Sequence, residues 1–159
     1  MFRAARLTEL GLPSLSVVQH NLARNERGAT RGVHAEPWDK YVTVLTGRVF
    51  QAIVDLRPGA GFGGTAWVEL SPGQALFVPR GCGNAYQALE PDTLYSYLVN
   101  GYWSAQAGYP AIDAYDPDLA IPWPIGPTEC IRSAKDAANP PFAEVARELA
   151  TAPAEGARS

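Results

Sequence analysis

Residues 41–100 read YVTVLTGRVFQAIVDLRPGAGFGGTAWVELSPGQALFVPRGCGNAYQALEPDTLYSYLVN. Five short runs in this stretch are rich in the β-branched and aromatic residues that favour strands: YVTVL, RVFQAIVDL, TAWVEL, ALFVP and TLYSYLV. Turn-forming sequences such as Thr46-Gly47 and Ser71-Pro72-Gly73 separate the runs. Closely spaced strands of this kind are typical of an all-β sandwich or barrel.

The flanking segments add a strand, a loop and a helix. In residues 14–25, SLSVVQHNLARN, the two-residue period of a strand places Gln19 and Asn21 on one face and His20 on the other. Residues 109–127 are rich in proline without a clear period, so we expect an ordered but irregular loop over the barrel.

The C-terminal part predicts a short helix over residues 141–150, because its apolar residues recur at spacings of three and four. We expect one domain over residues 1–150 and a disordered tail over residues 151–159.

Composition limits the class of protein. With 159 residues, of which 47% are hydrophobic and 18% charged, the chain can build the core of one domain. The chain has a net charge of -3, without the excess of lysine and arginine that is typical of a nucleic-acid-binding protein. We therefore expect no nucleic-acid partner. No apolar stretch approaches the roughly 18 residues of a membrane helix, and polar residues interrupt the N-terminal MFRAARLTEL. We therefore expect a cytoplasmic protein that does not bind membranes.

Two frames in the sequence resemble the metal-binding segments of cupin barrels, which are written G-x5-H-x-H-x3-E-x6-G and G-x5-P-x-G-x2-H. Both fit without an insertion, through Gly28, His34, Glu36, Lys40 and Gly47, and then through Gly73, Pro79, Gly81 and Asn84. Only His34 remains of the four ligands, and a lysine ammonium in the site repels a divalent cation. We expect a cupin that holds no metal.

The residues in this frame suit another chemistry. His34 can act as a general base, Lys40 can stabilise developing oxyanion charge, and Arg31 can anchor an anionic group. Such a set indicates proton abstraction next to a carbonyl on a phosphorylated or nucleotide-linked substrate.

The order of several short motifs resembles that of the dTDP-4-dehydrorhamnose 3,5-epimerase family. The similarity runs over residues 16–145 and rests on seven segments: Arg31-Gly32-Val33-His34, Lys40-Tyr41-Val42, Gly47-Arg48-Val49-Phe50, Val54-Asp55-Leu56-Arg57, Asp116-Pro117, Trp123-Pro124 and Ser133-Ala134-Lys135-Asp136. The resemblance implies an all-β, double-stranded β-helix jelly roll with a short C-terminal helix, which forms a homodimer and uses no cofactor. It also implies inversion of carbon 3, carbon 5 or both in a nucleotide-linked 4-keto-6-deoxy sugar, with dTDP as the expected nucleotide.

The resemblance also implies a role for individual residues. His34 corresponds to the family's base, Asp136 to the carboxylate that holds this histidine, and Tyr97 to the acid on the other face of the sugar. Lys40 corresponds to the lysine at the sugar, where it would hold the enolate oxygen. The expected substrate-binding residues are Arg31 at a phosphate, Gln19 and Asn21 on the nucleotide side, and Asn84 near the ketone.

Three departures from the family pattern predict a divergent subgroup. The family's R-G-x-F-x-E nucleotide-binding strand has no counterpart before Met1-Phe2-Arg3, so we expect an incomplete or rebuilt nucleotide clamp. Asn84 replaces a histidine, and Gln51 replaces an aspartate that would be an ionic partner of Lys40.

Three other functions remain open at this point. A 3,4-ketoisomerase of the cupin class would move the ketone of a similar substrate without inverting a carbon. A non-catalytic cupin would bind a sugar or a partner only, and a metal-dependent cupin would need ligands that the two frames lack.

Overall fold

The computed structural model describes residues 2–104 and 106–151. The predicted disordered tail over residues 151–159 lies outside them except for Thr151, which is helical. The helices and strands in chain order are α1 (Ala4–Glu9), β1 (Gln19–Asn25), β2 (Thr30–His34), β3 (Lys40–Thr46), β4 (Val49–Asp55), β5 (Thr65–Leu70), β6 (Ala75–Val78), β7 (Cys82–Ala88), β8 (Thr93–Val99), a 3-10 turn (Pro117–Leu119), α2 (Ala134–Ala137) and α3 (Phe142–Thr151). Within this part of the chain, no helix is both long and apolar enough to cross a membrane.

The strands form two four-stranded antiparallel sheets. One sheet has the order β1-β8-β3-β6 and the other has the order β2-β7-β4-β5, so strands that are neighbours in a sheet are mostly distant in sequence. Two packed four-stranded sheets with this crossing connectivity form a jelly roll. The predicted all-β cupin fold is confirmed.

The two sheets differ in how their outer faces are covered. β4 is buried along most of its length, without the alternation of a strand that has one face in water. Its inner face packs in a cluster between the sheets that includes Val49 and Tyr95, and its outer face packs in a second cluster with Ile112 and Val145. The C-terminal segment therefore covers the outer face of the sheet β2-β7-β4-β5.

The C-terminal segment also extends the pairing of β2. Val33 exchanges two backbone hydrogen bonds of 3.0 Å with Ile112, and the amide of Ala35 donates to the carbonyl of Pro110. Through these bonds β2 is held between β7 on one side and the segment after residue 109 on the other. His34 lies at the end of β2, where the two attachments meet.

β7 was not among the strands predicted from the five apolar runs. Its sequence, Cys-Gly-Asn-Ala-Tyr-Gln-Ala, contains no β-branched residue, so local propensity is weak. Pairing with β2 and β4 on both sides places it in the centre of its sheet. Residues 109–127 are irregular apart from the 3-10 turn, and the predicted terminal helix forms as α3, displaced by one residue.

The turn between β3 and β4 gives the first testable prediction. Gly47 has φ +75°, and an added Cβ would lie against Thr93 Oγ1 and 3.0 Å from Thr93 Cα. Gly73 is a matched control, because its φ is +92° but open space surrounds it. We expect Gly73→Ala to lower the free energy of unfolding by about 1 kcal/mol through backbone strain alone. Gly47→Ala should lower the free energy of unfolding by roughly 1–3 kcal/mol more than Gly73→Ala does, because the added methyl group overlaps with Thr93. Urea unfolding measures both, and equal losses would contradict this account.

Candidate active site

A cavity of about 630 Å³ opens at one end of the barrel, within the size range of small-molecule sites. Both sheets contribute to its walls, and the loop after β8 adds its rim. All eight residues that the sequence analysis assigned to the site line this cavity or contact a residue that does: Gln19, Asn21, Arg31, His34, Lys40, Asn84, Tyr97 and Asp136. The fold therefore brings together side chains from six different elements.

His34 and Asp136 form a hydrogen-bonded pair between β2 and α2. His34 Nε2 lies 2.7 Å from Asp136 Oδ1, and the side chains are 33% and 5% exposed. Ser133, the N-cap of α2, accepts a hydrogen bond from the Asp136 amide and donates one of 2.9 Å to Asp136 Oδ2. Both carboxylate oxygens of Asp136 are thus engaged, which fixes the direction from which it meets the imidazole.

The ionisation of Asp136 determines which imidazole nitrogen is free. Burial on its own would raise the pKa of Asp136, but the hydrogen bonds from His34 and Ser133 and the charge of Arg31 lower it below its usual value. An ionised carboxylate only accepts hydrogen bonds, so His34 Nε2 carries the hydrogen. The lone pair of a neutral imidazole then lies on Nδ1, and this nitrogen can take a proton from a ligand.

Tyr97 lies on β8, in the sheet that faces His34. Burial raises the pKa of Tyr97 above its usual value, the Glu36 carboxylate raises it further, and Arg31 opposes both. The phenol is therefore protonated at neutral pH. A base and a protonated acid thus belong to different walls of one cavity.

Lys40 has an ionic partner that the sequence analysis did not anticipate. The replacement of an aspartate by Gln51 predicted that Lys40 would lose its partner, but Glu36 Oε2 accepts a hydrogen bond of 2.5 Å from Lys40 Nζ. Both side chains are largely buried, at 5% and 11% exposed, and Lys40 Nζ lies 5.9 Å from the centre of the Tyr97 ring. Lys40 therefore enters the cavity as half of a neutral pair.

The rim of the cavity suits an anionic ligand. Arg31 is exposed, with Nε 3.5 Å from Asn25 Oδ1, and Lys135 on α2 lines the same cavity. On β1, Gln19 Nε2 donates to Asn21 Oδ1 at 2.7 Å, while Gln19 Oε1 accepts from the backbone amide of Trp103. Arginine and lysine side chains beside polar amides form a suitable environment for phosphate and nucleotide groups.

Asn84 lines the cavity on β7, and Gln51 lies behind it, fully buried, on the neighbouring strand β4. Gln51 Nε2 donates to Asn84 Oδ1 at 2.9 Å, and Tyr95 donates its hydroxyl hydrogen to Gln51 Oε1 at 2.8 Å. The Tyr95 ring stacks on that of Tyr86, with the ring centres 3.8 Å apart. The residue that replaces the family's histidine is thus part of a neutral polar network.

Sequence reasoning missed three residues of the site. Glu36 stood in the cupin frame and was treated only as a lost ligand, although the frame places both Glu36 and Lys40 at ligand positions of one site, which could have indicated an ion pair. Ser133 was quoted in a motif without a role. Trp103 had no signal, because the loop that carries it is irregular.

The donor set of the described residues does not form a metal site. Among residues 2–104 and 106–151, no three His, Cys, Asp or Glu side chains come together as possible ligands. That the protein uses no metal or cofactor stays a prediction from the sequence. The arrangement offers a base, an acid, an ion pair and an anion-binding rim, which is a set for proton transfer.

Comparison with known proteins identifies a family. A family model described as dTDP-4-dehydrorhamnose 3,5-epimerase matches residues 1–144. The chain is 37% identical over 129 residues to the protein RmlC homolog of Streptococcus pyogenes, covering 77% of this chain and 66% of that protein. It is 36% identical over 138 residues to the dTDP-4-dehydrorhamnose 3,5-epimerase of Streptomyces griseus, covering 82% and 68%. The chain thus spans about two thirds of the length of these two relatives.

A solved structure supports the same relationship. The epimerase RmlC of Legionella pneumophila, in complex with dTDP-4-keto-L-rhamnose, superposes with a TM-score of 0.84 at 32% identity. The superposition covers 93% of this chain and 81% of that one.

The Asp136 carboxylate gives a prediction that does not depend on any activity. Because its pKa is lowered in the folded state, its contribution to stability is present above the unfolded pKa, near 4, and is lost as the pH falls through the folded value. We expect Asp136→Asn to lower the free energy of unfolding at pH 5 by about 2 kcal/mol, and this difference should shrink between pH 5 and pH 2. Urea unfolding across this range measures it. Glu129→Gln, at an exposed position, is the control, and parallel curves for wild type and Asp136→Asn would contradict the prediction.

Proposed function

The chain belongs to the dTDP-4-dehydrorhamnose 3,5-epimerase family, and on that premise we propose that it is a metal-independent sugar-nucleotide epimerase. Its substrate is a nucleotide-linked 4-keto-6-deoxy sugar, with dTDP as the expected nucleotide, and it inverts carbon 3, carbon 5 or both. The observation that carries this proposal is the cavity between the two sheets, which has His34, bonded to Asp136 of α2, on one sheet and Tyr97 on the other.

The proposed chemistry begins with proton removal beside the ketone. Carbons 3 and 5 both flank the ketone at carbon 4, so loss of a hydrogen from either gives an enolate. His34 Nδ1 takes that hydrogen as a proton, and the ionised Asp136 stabilises the resulting imidazolium. Tyr97 then donates its phenolic proton to the same carbon from the opposite face, and this inverts the centre. Exchange with solvent removes the proton from His34 and returns one to Tyr97.

The rest of the cavity supports binding of the nucleotide part. Arg31 and Lys135 suit the diphosphate, while Gln19 and Asn21 suit the nucleotide, as the family resemblance implies. Lys40 and Glu36 form a neutral pair beside the Tyr97 ring, so Lys40 contacts the sugar as a hydrogen-bond donor whose charge Glu36 offsets.

We also propose that the protein acts as a homodimer. The outer face of the sheet β1-β8-β3-β6 carries exposed apolar side chains, among them Leu22 at 57% and Leu45 at 50% exposed. Apolar patches of this kind on a sheet favour association with another protein surface. The predicted cytoplasmic location stays a prediction.

Solvent exchange tests the proposed reaction directly. In deuterated water with a dTDP-4-keto-6-deoxy sugar, we expect deuterium at carbon 3, carbon 5 or both, inversion there, and a ketone that stays at carbon 4, as read by NMR. His34→Asn should slow exchange by roughly 10²–10⁴-fold, because the base is lost. Tyr97→Phe should retain exchange but lose inversion, since only one face can then receive a proton.

The control for His34→Asn is His20→Asn, because His20 lies on the opposite face of β1 and bonds to Ser96. A ketone that moves to carbon 3 would instead identify a 3,4-ketoisomerase. Tight binding without any exchange would identify a non-catalytic sugar-binding protein.

The charges around Tyr97 predict a shift in the pH dependence of the rate. A reaction that needs protonated Tyr97 loses rate as the pH rises through the pKa of that phenol. Because Glu36 raises this pKa and Arg31 lowers it, Glu36→Gln should move the loss of kcat to lower pH and Arg31→Gln should move it to higher pH. Rate profiles measure this shift, and ¹³C NMR of labelled tyrosine measures the pKa itself. Shifts in the same direction for both variants would contradict the assigned role of Tyr97.

A further inference from the structure

Gln51 is a fully buried polar side chain whose every hydrogen-bonding atom is engaged. It is 0% exposed, and its Nε2 donates its two hydrogens to the backbone carbonyl of Ala85 at 2.7 Å and to Asn84 Oδ1 at 2.9 Å, with the carbonyl of Ala52 as a shared acceptor at 3.3 Å. Its Oε1 accepts the hydroxyl hydrogen of Tyr95 at 2.8 Å. A half-turn flip of this amide, which exchanges Nε2 and Oε1, would break these bonds.

The fixed direction of Gln51 determines the direction of Asn84. A backbone carbonyl only accepts, so the Gln51 atom that contacts Ala85 must be the nitrogen. That nitrogen donates, and the Asn84 atom that faces it must therefore be the oxygen. Asn84 Nδ2 consequently points away from Gln51.

Asn84 Nδ2 is accessible from the cavity. Among the residues that the structure describes, every fully buried side-chain nitrogen and oxygen has a hydrogen-bond partner, whereas Asn84 Nδ2 has none at hydrogen-bonding distance and angle. Burial raises the pKa of Tyr95 well above its usual value, and the neighbouring Asn84 amide opposes this rise. An amide nitrogen carries two hydrogens, so Asn84 Nδ2 has hydrogens to donate to a ligand in the cavity.

The donor lies beside the proposed base. His34 and Asn84 are direct partners in the pairing of β2 with β7, and side chains at such positions have Cβ atoms about 5 Å apart. Both side chains line the cavity. A ketone oxygen is bonded to the carbon next to the one that loses its proton, so a group at this distance from the base is well placed to reach it.

We infer that Asn84 donates a hydrogen bond through Nδ2 to the ketone oxygen of the bound sugar, and that Gln51 is the positioning residue that holds the amide in this direction. The inference rests on the proposed epimerase function and adds to Lys40 a second, neutral donor to the enolate oxygen. Gln51 itself does not touch the substrate. Removal of one such donor typically costs about 10²–10³-fold in kcat.

The donor is neutral, and this has a kinetic consequence. An amide does not titrate between pH 5 and 10, so the bond to the enolate oxygen does not depend on pH. A histidine at the same position would donate from both nitrogens only when protonated, and its usual pKa is about 6.5. The Asn84 and Gln51 pair thus gives the same stabilisation across the neutral range.

Two single variants test the inference by turning the donor into an acceptor. In Gln51→Glu, the new carboxyl has at most one hydrogen to donate, and the backbone carbonyl of Ala85 competes for it. We therefore expect Asn84 to turn Nδ2 towards a carboxyl oxygen and to present Oδ1 to the ketone. In Asn84→Asp, the cavity side chain itself loses its donor. We expect kcat to fall by roughly 10²–10³-fold in both, with KM within about twofold of wild type.

A rescue variant separates positioning from a merely structural role. In Gln51→Glu with Asn84→His, the carboxylate can hold a protonated imidazole that donates to the ketone. We expect this double variant to recover kcat at low pH, and to lose it again as the pH rises through the imidazole pKa. An effect on thermal stability alone, without this new pH dependence, would overturn the inference.

A spectroscopic measurement tests the hydrogen bond without turnover. In the His34→Ala protein, the infrared C=O stretch of a bound dTDP-4-keto-6-deoxy sugar should lie lower than in His34→Ala with Asn84→Asp. An unchanged stretch would overturn the inference even if the intact protein epimerises its substrate. Conversely, a shifted stretch with no solvent exchange by the intact protein would support the donor and reject the epimerase function.

Discussion

The hydrogen bond between His34 and Asp136 joins residues 102 positions apart, and the arrangement of the site depends on it. It requires that β2 end beside α2, and this in turn requires that the segment after residue 109 pair with β2 on the side that β7 leaves free. Ser133 holds the carboxylate in place from within α2. The direction of the imidazole is therefore a product of the whole fold.

The charged groups of the site are paired with one another, and the polar groups behind them are neutral. Lys40 forms an ion pair with Glu36, and the ionised Asp136 accepts a hydrogen bond from His34. Beneath them Gln51, Asn84 and Tyr95 exchange hydrogen bonds without carrying charge. In the proposed reaction, charge that develops on the substrate would meet oriented dipoles that need little rearrangement.

Much of the architecture could be predicted from the sequence because strand propensity and turns are local signals. The runs at β3, β4, β5, β6 and β8 are rich in β-branched and aromatic residues. In contrast, β7 has no β-branched residue and forms because it pairs with a strand on each side. The placement of His34 and Asp136 followed from motif resemblance, since no local rule connects positions 102 apart. The role of Gln51 could not be predicted, because the direction of a buried amide depends on partners in three dimensions.

The C-terminal segment covers the outer face of the sheet β2-β7-β4-β5, and this has a consequence for biosynthesis. All eight strands leave the ribosome before the segment that contributes Ile112, Leu119 and Val145 to the second apolar cluster. In a nascent chain that ends just after β8, the apolar side chains of Phe50, Ala52 and Val54 on the outer face of this sheet are therefore exposed to water. Such a surface can bind chaperones or associate with another copy of the chain. Asp136 emerges later still, so its hydrogen bond to His34 can form only after the C-terminal segment has left the ribosome.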